Sequence, residues 1–366
     1  MTKALITGIY GQDAQIMTSY LIDKKIEVHG TTRRHTHTEP APKGVKIHKM
    51  DLCDQASIKR LLSSLSPDII FHLAGQSHVS DSFKIPEQTI MTNTMGTLHL
   101  LEIIREYMPK TRMYFAATSE MLGTQTNKPA DESFPFRPRS PYGVSKLAGY
   151  ELVRNYRESY GLKVCSGILF NHESRYRKGS FLTKKVCNYV NVVAKILKNN
   201  HSLEEVFSTI APLEIGNIFA KRDWGFAPDF IDGMYKILHQ DEQFPERKEF
   251  VDYILGTGQS ISVSQFISRA FDIAGIQSKW AFITDECLTM HTEPFVGSNS
   301  DNLKWNLIVS ENNFHDYKIA VKINSEFYRP AEIDILLADS SLAKKDLGWQ
   351  SSENSVDLII KDMLDI

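Results

Sequence analysis

"KALITGIYGQDA", residues 3–14, is the stretch from which the fold follows. Lys3–Thr7 is a short apolar run. Gly8 and Gly11 follow in a G-x-x-G-x-x-A arrangement closed by Ala14, and "MTSYLIDK" beyond it spaces its apolar residues as a helix does, so the chain opens strand, glycine turn, helix. Small residues at such a turn let the backbone bring the amino end of the helix against a pyrophosphate, although a tight turn with no ligand satisfies the same pattern. The rest of the first half favours the ligand. "IEVHGTT", "VKIHKM", "DIIFHLAG", "RMYFAATS" and "LKVCSGILF" are further apolar runs, separated by helical patterns over 56–65, 87–107 and 142–160. That alternation predicts an α/β fold with a doubly wound parallel sheet covered by helices on both faces.

A chain of 366 residues has room for two ordinary domains. The expected division is a dinucleotide-binding domain over 1–175 and a smaller C-terminal substrate domain over 176–366, with some later segments returning to the first. Past Phe170 the alternation weakens into a basic helix, loops and short strands, and 284–315, polar and rich in Asn and Ser, reads as a long surface insertion. A formal charge of -2 offers no excess for nucleic acid or a membrane surface. Cys53, Cys165, Cys187 and Cys287 lie far apart with no C-x-x-C pair, which reads as reduced thiols rather than a zinc site or redox dithiol, and no metal is expected. The opening residues run straight into a strand, and no apolar stretch reaches membrane-spanning length; both point to a soluble cytoplasmic protein.

At the end of the second strand an NAD enzyme presents Asp or Glu to the ribose 2′-hydroxyl, whereas this chain presents Arg33 and Arg34 in "TTRRHTH", which suit the 2′-phosphate of NADP or, alternatively, form a solvated basic turn. Asp51, after the third strand, is placed either to accept from an adenine amino group or to sit at a helix amino end.

"SPYGVSKLAGYE", residues 140–151, sets Tyr142 and Lys146 four apart on one helix face. An ammonium beside a phenol stabilises phenolate and lowers the tyrosine pKa toward that of a usable base. Tyr20 and Lys24 repeat the spacing in the first helix, so context has to choose between the pairs. Tyr142 follows the strand ending "ATSEMLG", and open α/β sheets place ligands at the carboxyl ends of their strands. Thr118, a hydroxyl able to bond a sugar, and Glu120, a carboxylate able to take a proton from carbon beside a carbonyl, therefore join it.

These residues resemble the extended short-chain dehydrogenase/reductase family, a Rossmann-type fold, and within it the GDP-mannose 4,6-dehydratases. The resemblance runs through "GIYGQDA", "VHGTTRR", "HLAGQSHVSDSF", "TSEMLG", "FPFRPRSPYGVSKLAGY", "GILFNHES", "GNIFAKRDWG" and "FYRPAEID" in order. It implies a GDP-sugar substrate, NADP, a homo-oligomer (dimer or tetramer), and an internal redox cycle. Tyr142 takes the O4 proton, Lys146 lowers its pKa and holds the nicotinamide ribose, Thr118 anchors O4, and Glu120 removes the C5 proton. To the cofactor it assigns Gln12, Asp13, Leu52, Leu73, Ala74, Gly75, Ser77 and His172, and to the substrate Ser77, Asn171, Lys185, Arg222, Arg329 and Glu332.

Three features depart from that family's pattern. The loop between Arg34 and Asp51 is short, "RYRKGS" follows "NHES", and Leu122 follows "TSEM" in place of an aromatic residue. A pocket altered in this way with its catalytic residues kept also suits a related GDP-sugar such as a GDP-heptose. A nucleotide-sugar epimerase or reductase would use the same Tyr/Lys pair, but has no use for Glu120.

Overall fold

The computed structural model describes residues 1–34, 42–125, 128–199, 201–284, 287–311 and 314–365. The first half alternates as the sequence predicts: β1 (Lys3–Thr7), α1 (Gln12–Asp23), β2 (Glu27–Thr32), β3 (Lys46–Lys49), α2 (Gln55–Leu65) and β4 (Ile69–His72). Two short helices, α3 (Val79–Ser82) and α4 (Pro86–Ile90), precede α5 (Gly96–Tyr107), β5 (Arg112–Thr118), α6 (Pro141–Tyr160), β6 (Val164–Leu169) and β7 (Asn171–Glu173). The helix expected over 87–107 is broken by a π-turn at Met91–Met95.

Seven parallel strands form the main sheet in the order β11-β6-β5-β4-β1-β2-β3. Residues of β1 alternate faces: Leu5 packs into a core with α2, α5 and α6, while Ala4 and Ile6 join α1 on the other side. Burial on both faces explains why the strand reads as an unbroken apolar run rather than an alternating one. The chain leaves β1 on one side through β2 and returns on the other through β4, so the carboxyl ends of β1 and β4 part and open a crevice.

The second half supplies α7 (Leu182–Lys198), α8 (Leu203–Thr209), β8 (Leu213–Ile215), β9 (Lys221–Arg222), β10 (Trp224–Phe226), α9 (Ala227–Leu238), α10 (Gln240–Gln243) and β11 (Tyr253–Leu255). It continues with β12 (Ile261–Ser262), α11 (Val263–Ile273), β13 (Ser278–Ile283), β14 (Leu288–His291), α12 (Asn299–Asn302), β15 (Trp305–Val309), β16 (Lys318–Ile323), α13 (Ser341–Leu347) and α14 (Ser355–Leu364). Three of these elements belong with the first half in space: β11 pairs with β6, α9 packs with α1 in the core on one face of the main sheet, and α13 packs on β11 and α9 in that same core. Most of the remainder builds a separate core around α7, α11, α14 and a five-stranded sheet, β14-β13-β15-β16-β8.

The stretch 284–315 is not a surface insertion. Within it "WNLIV" forms β15, central in that sheet, with Trp305, Leu307, Ile308 and Val309 fully buried. The polar residues before it, which include the edge strand β14 and the short helix α12, dominated the composition. No helix among the described residues is long and apolar enough to cross a membrane.

Candidate active site

The glycine turn after β1 is built as its residues suggest. Gly8 sits at φ +75°, and a Cβ there would lie 3.0 Å from the Ala74 backbone. Gly11 caps α1 with no side-chain acceptor, so the first amides of the helix remain open toward an anion.

Thr118 ends β5, and its hydroxyl accepts from the Glu120 amide at 3.3 Å to start a 3-10 turn, Ser119–Met121. Opposite, Ser140 caps α6 by accepting from the Gly143 amide at 3.0 Å, with Pro141 at the first helical position. Gly143 is needed for the approach, because a Cβ there would lie 2.8 Å from the Glu120 carbonyl oxygen. Strand end and helix start thus meet, and the Tyr142 phenol comes beside the Thr118 hydroxyl. Thr118, Glu120, Tyr142 and Lys146 are each 8% exposed or less.

All four line one cleft of about 900 Å³, together with Gly8, Gly11, Gln12, Asp13, Leu73, Gly75, Ser77, Asn171, His172, Lys185, Arg222, Arg329 and Glu332. The remaining expected residues lie outside its lining. Arg33 and Arg34 are exposed just past β2. The Asp51 carboxylate accepts from the Cys53 amide at 2.9 Å, while the cap of α2 is Asp54, so the alternative helix-end role falls to a neighbour. Leu52 is buried beneath Gly96 in the core, and Ala74 serves as the surface against which Gly8 turns. Tyr20 and Lys24 stand apart from the cleft: the Tyr20 hydroxyl donates to Asp232 at 2.7 Å and its ring tilts against Tyr235.

The expected lowering of the Tyr142 pKa by Lys146 is not what the structure holds. Burial pushes the phenol up to about 12; the Thr118 hydroxyl and the Arg177 guanidinium pull it back, while Glu120 adds to the rise. Lys146 instead directs its ammonium over the Phe115 ring, 4.5 Å from the centroid, and burial brings its own pKa down to about 8. Spacing put the two side chains on one face; their shared loss of water outweighs any mutual charge effect.

Around the turn, Asp13 and His172 pair at 3.1 Å, Gln12 donates to the His172 carbonyl at 3.0 Å, and Ser174 donates to Gln12 at 3.1 Å. Burial opposes ionisation of Asp13, but His172 and Arg177 prevail and hold its carboxyl well below the usual range. Arg177 is a site residue that the sequence reading missed. Its Nε donates to Glu173 at 2.6 Å, a second nitrogen donates to the His172 carbonyl, and its guanidinium lies 4.7 Å over the Phe181 ring. The only signal was a cation in "RYRKGS", the segment that departs from the family pattern. Asn93 was missed as well. Presented by the π-turn, it accepts from the Gln76 amide at 2.8 Å and donates to Ser145 at 3.0 Å, tying the loop after β4 to α6.

At the far end Arg222 donates to Glu332 at 3.0 Å and Arg329 lies 3.6 Å from the same carboxylate. Lys185 donates to the Glu214 carbonyl at 2.7 Å and covers the Phe327 ring, and the Asn171 side-chain oxygen is buried without a hydrogen-bond partner among the described residues. Asp223 does not pair with its neighbour Arg222; it accepts from the amides of Thr257, Gly258 and Ala338 and so fixes the strand that carries the arginine. No group of three or more His, Cys, Asp or Glu among the described residues is placed to hold a metal ion.

A doubly wound parallel sheet, a glycine turn at its switch point and a Thr/Glu/Tyr/Lys set at the neighbouring strand end define an extended short-chain dehydrogenase/reductase fold. A UDP-glucose 4-epimerase from Thermus thermophilus, solved as a complex with NAD, shares that fold at a TM-score of 0.73 and 21% identity over 100% of this chain and 99% of its own. The chain belongs to the GDP-mannose 4,6-dehydratase family, whose model matches residues 5–363. A GDP-mannose 4,6-dehydratase from Vibrio cholerae serotype O1 is 37% identical over 361 residues, covering 94% of this chain and 88% of that one. The GDP-mannose 4,6-dehydratase sdnI of Sordaria araneosa is 36% identical over 99% of this chain, which spans 60% of its length.

Proposed function

We propose that the protein is an NADP-dependent lyase that converts GDP-D-mannose to GDP-4-keto-6-deoxy-D-mannose. The observation that carries this reading is the convergence of Thr118, Glu120, Tyr142 and Lys146 on the cleft that also contains the glycine turn. NADP, when bound, stores the hydride taken from C4 until it is returned to C6. The chain does the rest. Thr118 holds O4, and Tyr142 accepts the O4 proton as the ketone forms. The ketone acidifies C5; Glu120 removes that proton and passes it to the C6 hydroxyl, which departs as water, and Tyr142 returns the proton it took from O4 to C5 as C6 is reduced. Arg222 and Arg329 fork around diphosphate oxygens, Glu332 accepts from guanine or ribose, and Lys185 and Asn171 complete the substrate side, with Ser77 between sugar and cofactor. The test is incubation with NADP+ and GDP-mannose, followed by mass spectrometry. Loss of one water with no net change in NADPH supports the reading, and net consumption of NADPH points to a reductase instead.

The cofactor preference rests on Arg33 and Arg34, exposed at the end of β2 with no acidic residue beside them in the sequence. Replacing both with Asp is expected to weaken NADP+ binding by about tenfold to a hundredfold and to spare NAD+, as dissociation constants measured by fluorescence will show. Lys146 adds a pH dependence. Its depressed pKa means that it carries charge below about pH 8 and is neutral above, so NADP+ binding is expected to weaken as pH rises through that value. In Lys146→Arg, which stays protonated, the same titration is expected to lose that step.

A homo-oligomer, dimer or tetramer, accords with the apolar residues left exposed along α4, the π-turn, α5 and α6: Ile90, Met91, Tyr107, Val144 and Tyr160. A cytoplasmic location suits four unpaired cysteines.

A further inference from the structure

The two guanidinium groups at the nucleotide end of the cleft are held in different ways. Arg222 is 7% exposed and fixed, donating to the carbonyls of Lys221 at 2.9 Å and Ile333 at 2.7 Å as well as to Glu332. Arg329 follows β16 on a loop, keeps 28% of its side chain exposed, and lies between two carboxylates: 3.6 Å from Glu332 and 3.7 Å from Glu120. Both separations exceed a hydrogen bond. Glu332 is already engaged, by Arg222 and by the Ile333 amide at 3.1 Å. Among the described residues, the charged and titratable groups that face Glu120 include Tyr142 from α6, Arg222 from β9, and this loosely held cation.

A guanidinium resting on a carboxylate stabilises its ionised form and so weakens it as a proton acceptor. A diphosphate offers more charge and paired oxygens that match the guanidinium fork, which makes it the stronger partner for the same group. We propose that Arg329 is a shutter on Glu120, pairing with the carboxylate before substrate arrives and swinging to the diphosphate of a bound GDP-sugar. Glu120 is then released as a base only beneath a correctly seated nucleotide. Arg329 acts in this way as a positioning residue in addition to binding phosphate, and the inference rests on the GDP-sugar reading above. It also gives a physical reason for one arginine to be locked by backbone carbonyls while its neighbour is not.

The test is a pair of pH profiles with GDP-mannose at saturating NADP+, for the unmodified enzyme, Arg329→Gln and Arg329→Lys. The profile of kcat/KM reports the protein before the sugar nucleotide binds, and that of kcat reports the complex. Arg329→Gln is expected to raise KM by about tenfold or more and to move the acid limb of kcat/KM toward neutral pH, leaving the acid limb of kcat in place. Arg329→Lys, which keeps the charge, is expected to keep both limbs. Movement of both limbs in the Gln variant means that the cation stays on Glu120 through turnover, and movement of neither means that it never screens it; each result overturns the shutter. Calorimetry with GDP separates this failure from a wider one. If GDP does not bind, the GDP-sugar reading falls and the shutter with it; if GDP binds and the limbs move together, the shutter falls alone. A crystal structure of the unmodified protein with GDP needs no variant: Arg329 is expected on phosphate oxygens, and a guanidinium still against Glu120 overturns the proposal.

Discussion

Glu120→Gln is expected to lower the rate of dehydration by roughly 10²–10⁴-fold while leaving C4 oxidation intact. The amide matches the carboxylate in shape, so it can still lie against Arg329 and beneath the first turn of α6. It cannot accept a proton. With NADP+ and GDP-mannose the variant is expected to build up reduced nicotinamide, seen by absorbance, with no loss of water by mass spectrometry. Normal turnover would remove Glu120 from the C5 step.

Tyr142→Phe should fail one step earlier. In the proposed mechanism the phenol is the O4 base, so turnover is expected to fall by a similar factor, roughly 10²–10⁴-fold, this time with no reduced nicotinamide. GDP-mannose should still bind, because Arg222, Arg329 and Glu332 lie at the other end of the cleft. The two variants thus divide the reaction at the ketone. A burst of reduced nicotinamide from the Phe variant would mean that another group is the O4 base. The phenol must also be considered in its surroundings. At about 12 its pKa describes a buried group in the chain alone, drawn down by Thr118 and Arg177, and the positive charge of an oxidised nicotinamide nearby would draw it down further.

Much of this was legible in the sequence because the determinants are local. The glycine turn, the Ser-Pro start of α6 and the apolar runs buried on both faces of the sheet each specify their own structure. Thr118 and Glu120 could be placed because a strand end fixes where its next residues point. Other features depend on contacts between distant segments. Asn93 works only because a π-turn aims it at Gln76 and Ser145. Arg177 is held locally by Glu173 and the His172 carbonyl, but what it acts on in the site, Asp13 and Tyr142, lies far from it in the sequence. The pKa of Tyr142 depends on how dry the cleft is, which four-residue spacing does not encode. In 284–315 the polar flanks masked five residues of central strand.

The return of β11 and α9 to the first sheet ties the two halves of the chain together. Cys165, Leu169 and Tyr114 share their apolar surroundings with Phe230, Met234 and Tyr253, residues supplied by the second half. A fragment ending at residue 175 would leave that face of β5 and β6 in water and the outer edge of β6 unpaired, inviting association rather than folding. The first half is therefore not a module that ends at residue 175: its sheet and one of its cores are finished by chain that lies beyond that point.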